Sequence, residues 1–343
     1  MQPAAKSSFV RASQRSPERA PLFATALALI GCVGLGGCAG SAQVTTLPAE
    51  WPARVELRGT PFYPQTENHC GPAALATVLG AAGHPVAPAA LASEVYVPGR
   101  EGSLQPELVA AARARGVLAY ETGPALQDML AEVVAGRPAL VLQQLGAGPW
   151  PNWHYAVVIG YDRHGERVLL RSGRDELLDQ RAALFESTWA RAGRWAVVLV
   201  EPGQMPARPD LTRYMQAASA LESASPPSAA KAYDAAARHW PAEPLPLLGS
   251  GNVAAAQGEW SEAERWYRAA LALDPASVAA LNNRAEALAR LGCRDAARRA
   301  LQKGVSHVAA DDPLRPVLDE TVRTLAADAG TADPAVCREF TVH

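Results

Sequence analysis

No charge of either sign dominates this chain. Its 343 residues carry 32 Lys and Arg against 34 Asp and Glu, a formal net charge of −2, so the basic surface that a nucleic-acid partner requires is not expected. No apolar run reaches the ~20 residues of a bilayer-spanning helix; the apolar stretch 22–34, itself uncharged, is about 13 residues long. Ligand spacing for zinc is missing. His69 and Cys70 are neighbours, but no further ligands follow at a metal-binding interval, and neither metal nor cofactor is expected. Cysteine is scarce, five residues in all, few enough for each to be asked for a separate role.

What is present begins with an export signal. Lys6, Arg11, Arg15 and Arg19 stand against one acid, Glu18, ahead of the short apolar stretch, the order of a signal peptide. Leu35-Gly36-Gly37-Cys38 then resembles a bacterial lipobox. That implies removal of residues 1–37 and acylation of Cys38, which would hold the chain to a membrane by lipid. Ala39 follows rather than Asp, so the expected place is the bacterial cell envelope, at the outer membrane facing the periplasm. Residues 38–52 are small, polar and Pro-containing, and read as a flexible tether.

The chain is organised around Gln65-Thr66-Glu67-Asn68-His69-Cys70-Gly71-Pro72-Ala73-Ala74-Leu75. Pro is favoured in the first turn of a helix, and the helix formers after it place Cys70 at or just before a helix N-terminus. Free N–H groups and the positive dipole end there stabilise a thiolate and are expected to lower its pKa. Gln65 offers a side-chain amide donor for an oxyanion. By residue type alone, Cys70 reads equally well as a buried structural cysteine. A Cys nucleophile needs a base in hydrogen-bond reach. Of seven His, His154 heads the run Tyr155-Ala156-Val157-Val158-Ile159, β-branched and apolar, which reads as a central strand. There a ring can face a helix N-terminus from another part of the fold.

These two stretches resemble papain-like cysteine peptidases of the bacterial double-glycine-leader type, over roughly residues 55–202. The resemblance implies a peptide or protein substrate, Cys70 as nucleophile, His154 as general base and Gln65 as oxyanion donor. It departs at the third member, an Asp on the strand after the His. Here that strand, residues 167–171, runs into Ser172-Gly173, and Ser172 has no carboxylate. Asp175 and Asp162 are the other candidates, and the position stays unassigned. A peptidase fold kept only as a scaffold is the rival reading. Trp150 and Trp153 either wall a cleft or cover the edge of the core.

Length alone suggests two domains. Strands are expected at 55–58, 117–120, 139–145, 154–162, 167–171 and 195–200, and helices after Cys70 and at 88–95, 104–115, 124–135 and 182–192. Helices first and a largely antiparallel sheet after them suit an α+β papain-like domain over residues 53–203. Pro202-Gly203 and residues 206–209 mark a boundary. Beyond it, residues 210–343 are Ala-rich, lack strand signals and repeat every 34 residues. Ala229, Ala263 and Ala297 align, as do Tyr233, Tyr267 and Leu301; Gly251 and Gly258 supply small residues, and Gly292 repeats Gly258. This resembles tetratricopeptide repeats, clearest over 244–277, with residues 313–327 as a capping helix. It implies an all-α domain whose concave face takes a protein partner, or else a helical spacer. Cys293 and Cys337, with no other role in an oxidising compartment, are expected to pair. Deleting residues 210–343 is expected to spare activity on a small peptide.

Overall fold

The computed structural model describes residues 46–65, 69–146, 151–327 and 337. The signal segment, Cys32, Cys38 and Trp150 lie outside them. The first domain comprises β1 (Arg54–Glu56), α1 (Cys70–Ala81), α2 (Pro88–Val95), α3 (Gln105–Arg113), β2 (Leu118–Glu121), α4 (Leu126–Val134), β3 (Ala139–Gln144), β4 (Trp153–Asp162), β5 (Arg167–Ser172), β6 (Asp175–Arg181), α5 (Ala182–Arg191) and β7 (Ala196–Val200). The strands form one antiparallel sheet in the order β2-β7-β3-β4-β5-β6, with β1 added on β4. β3 and β4 are near-continuous buried runs, as strands covered on both faces must be. Leu140, Tyr155, Val157 and Ile159 pack on one face beneath α1, α2 and α3. Val141, Ala156, Val158 and Leu170 pack on the other beneath α4 and α5. α1 is buried at every position from Gly71 to Leu79; a helix apolar all round belongs inside a core, and that fixes its N-terminus against the sheet.

Two features depart from the expectations. β6 was not expected, because Asp175-Glu176-Leu177-Leu178-Asp179-Gln180-Arg181 lacks alternation and is mostly exposed. It forms as the second arm of a hairpin with β5, turned at Gly173 with φ +61°. Residues 47–52, expected to belong to a flexible tether, are docked. Leu47 is buried, the Arg163 guanidinium donates to the Pro48 carbonyl at 2.6 Å, and the Tyr161 hydroxyl donates to the Pro52 carbonyl at 2.8 Å. The apolar Leu47 and Trp51 give this short segment a core to join.

The second domain is helical: α6 (Leu211–Ser219), α7 (Pro226–His239), α8 (Pro244–Ala256), α9 (Trp260–Leu273), α10 (Val278–Arg290), α11 (Arg294–Ser306) and α12 (Arg315–Ala327). The 34-residue period is also a packing period. Ala229, Ala263 and Ala297 are fully buried, and Tyr233, Tyr267 and Leu301 fill the spaces beside them. A Cβ on Gly251 would lie 2.3 Å from the Tyr267 ring, so only glycine permits that approach between α8 and α9. Cys293 and Cys337 are bridged, with a Cα–Cα distance of 5.2 Å.

The chain between the domains is not a loose linker. Glu132, 1% exposed, accepts the Ala207 N–H at 2.7 Å. The Tyr120 hydroxyl donates to the Arg208 carbonyl and accepts from the Asp210 N–H, both at 3.1 Å. The cluster on the α4–α5 face of the sheet runs on without a break through Tyr214, Leu221, Tyr233 and Val253. The repeats therefore share a core with the sheet, on the face opposite α1.

Candidate active site

α1 starts without a side-chain cap and without an acid in its first turn, so its leading N–H groups are left for other acceptors. The Cys70 sulfur lies among them. The main-chain N–H groups of Tyr155 on β4, of Gly71 and of Cys70 itself lie close enough to favour its charged form. The Tyr155 nitrogen belongs to the peptide joining it to His154, so the sulfur lies against the His154–Tyr155 peptide. His69, just before the helix, stacks its ring on Tyr96 with centroids 5.2 Å apart.

Gln65 also reaches Tyr155. Its side-chain Nε2 donates to the Tyr155 carbonyl at 3.5 Å, a long bond, and its main-chain N–H donates to the Gly173 carbonyl at 2.9 Å. Thr66, Glu67 and Asn68 lie outside the described residues. The structure thus gathers Gln65, Cys70 and the start of β4 around one residue, Tyr155. His154 Nε2 lies 2.8 Å from the Ser172 hydroxyl oxygen, a contact between β4 and β5. Asp162 is at the far end of β4, paired with Arg54 at 2.9 Å and accepting the Gly165 N–H. Asp175 is exposed in the β5–β6 hairpin. Of the three candidates for the third position, Ser172 is the one that meets the ring.

Burial governs the charges here. It pushes the Cys70 thiol above its ordinary value, and the N–H groups of Tyr155, Gly71 and Cys70 offset this only in part. Burial likewise pushes His154 below its ordinary 6.5. The expectation of a thiolate stabilised at rest is corrected accordingly. A sulfur this enclosed loses more hydration than three amide dipoles return. Among the described residues, no group of three His, Cys, Asp or Glu is placed to hold a metal.

A cleft of about 530 Å³ opens on the sulfur, lined by Arg100, Ser103, Leu142, Asn152, Trp153 and Tyr155 as well as Cys70. Trp153 is 49% exposed and walls it. From the sequence Ser103 is expected only to cap, with Gly102, the following helix, which instead begins at Gln105 with no side-chain cap, and Tyr155 is not singled out. Tyr155 reads there as one more apolar residue of a buried strand, and only the β4 alternation, which points it towards α1, hints at more.

Residues 58–197 match the sequence model of the Peptidase_C39 like family, a span holding Gln65, Cys70, His154 and Ser172. Residues 251–292 match that of the TPR repeat. No curated protein matches the chain. A Bacillus anthracis protein whose crystal structure is described as that of a C39-like peptidase is similar at 22% identity, over 43% of this chain and 98% of that one, with a TM-score of 0.38.

Proposed function

We propose that this chain is an exported, lipid-anchored cysteine peptidase whose repeats recruit a substrate or partner protein. The observation that carries the reading is the placement of the Cys70 sulfur at a helix N-terminus, against the His154–Tyr155 peptide. In the productive tautomer, His154 donates Nε2–H to Ser172 Oγ and keeps the Nδ1 lone pair for the thiol proton. Since burial disfavours the charged form of both groups, deprotonation of the thiol accompanies attack. Sγ bonds to the substrate carbonyl carbon, and Gln65 Nε2 with the Cys70 N–H holds the oxyanion. The imidazolium then gives its proton to the leaving amine. Water, deprotonated by His154, attacks the thioester; the acid departs and the thiol is restored.

The test is a peptide mixture incubated with the full chain and read by mass spectrometry. Fragments should appear with the wild type and not with Cys70→Ser. An intact mixture would favour the scaffold reading, whose support is the hydroxyl where a carboxylate would fix the tautomer; a hydroxyl both donates and accepts. Export is supported by the Cys293–Cys337 bridge, which belongs to an oxidising compartment. For the anchor, a fatty-acid analogue fed to producing cells should label the wild type and leave Cys38→Ser unlabelled; label retained by the variant would refute acylation at Cys38.

A further inference from the structure

The wall of the cleft that faces the nucleophile's helix is a short loop, residues 97–104. A bridge between Val97 and Gly102 closes it, and a 3₁₀ turn at Pro98–Arg100 with Glu101 at φ +50° shapes it. The loop presses hard on α1: a Cβ on Gly71 would lie 2.5 Å from Ser103 Oγ. That hydroxyl does not fasten the loop, since it is buried without a hydrogen-bond partner. A bond from the sheet does reach it, from the Tyr155 hydroxyl to the Ser103 carbonyl at 3.3 Å. Burial holds the Tyr155 phenol protonated, far above its ordinary value, so it remains a donor at any working pH. The same residue sets its main-chain N–H beside the Cys70 sulfur and gives its carbonyl to Gln65. Loop, nucleophile and oxyanion donor are therefore referenced to one residue, the loop through its side chain and the other two through its main chain.

Building on the peptidase reading, we propose that Tyr155 is a positioning residue whose hydroxyl latches the 97–104 loop as the wall limiting side-chain size beside Cys70. Arg100, Glu101, Gly102, Ser103 and Leu104 of this loop line the cleft, so where the loop is held against Gly71 sets the width next to the sulfur. Released, the loop would swing outward and admit bulkier residues.

Tyr155→Phe keeps the ring, its edge contact with Trp195 and both main-chain contacts, and removes the latch alone. The experiment measures kcat and KM for paired peptides that differ, small against bulky, at the residue giving the scissile carbonyl. The preference for the small residue should shrink roughly threefold to tenfold, the worth of one hydrogen bond, chiefly through a lower KM for the bulky peptide. Alkylation of Cys70 by iodoacetamide, which needs no wall, is measured beside it to report any change at the nucleophile itself. A wild type without size preference, or a preference unchanged in the variant, overturns the latch and leaves the peptidase reading standing. Alkylation and all peptides slowed together would make the hydroxyl a general support and also overturn the selective role. A wild type that cleaves no peptide overturns both readings.

Discussion

His154→Ala is expected to lower kcat/KM for peptide cleavage by about 10²–10⁴-fold, the span that a positioned general base contributes. The loss should be near the upper end because of how the site is charged. Burial holds the Cys70 thiol above its ordinary value, so little thiolate exists at neutral pH to act without a base. The pH profile separates this from a structural effect. In the wild type the acid limb should lie below 6.5, since burial lowers His154 and protonation removes the base only under that pH. In His154→Ala this limb should vanish. The residual rate should instead climb with pH, towards the raised pKa of Cys70. A variant that keeps the wild-type acid limb would assign the base to another group.

The second large effect concerns the repeats. A chain ending at residue 209 is expected to fail to fold, whereas one ending near residue 241, keeping α6 and α7, should stay soluble. The sheet face over α4 and α5 is completed by Tyr214, Leu221 and Tyr233, all at most 1% exposed. Each large apolar side chain fully buried is worth about 1.5–3 kcal/mol. Removing three of them and uncovering Tyr120 approaches the whole stability of a domain, about 5–15 kcal/mol. This revises the expectation that deleting residues 210–343 spares a small-peptide activity. Thermal melting of both truncations is the check. A chain ending at 209 that melts cooperatively at the full-length temperature would mean that the helices only rest on the sheet.

Much of this was legible because local chemistry and global fold agree. The Gln65–Cys70 stretch states a helix start, and the run from His154 states a buried strand. The 34-residue period already places Ala263 and Tyr267 in a shared interior. Other features depend on partners distant in sequence. β6 is charged and irregular, and becomes a strand only because β5 offers it an edge. Which of Ser172, Asp175 and Asp162 meets the His154 ring depends on strand register, and the β5–β6 register shifts between Leu170 and Ser172. The Pro- and Gly-rich segment 202–209 looks like a linker by composition, yet Glu132 and Tyr120 bind its backbone from two other elements. The thiol was misjudged for a related reason. A helix N-terminus can be seen in sequence, but the depth at which it is buried cannot.

The central claim is that Cys70 acts on peptides with His154 as its base. The most direct measurement is covalent capture of the full chain by a peptidyl vinyl sulfone at pH 7, located by mass spectrometry and timed. The wild type should be modified at Cys70, faster than by the same electrophile lacking its peptide. Cys70→Ser should stay unmodified, and His154→Ala should react at least about 10²-fold more slowly. Equal capture of the wild type and His154→Ala, or no gain from the peptide, would contradict the account.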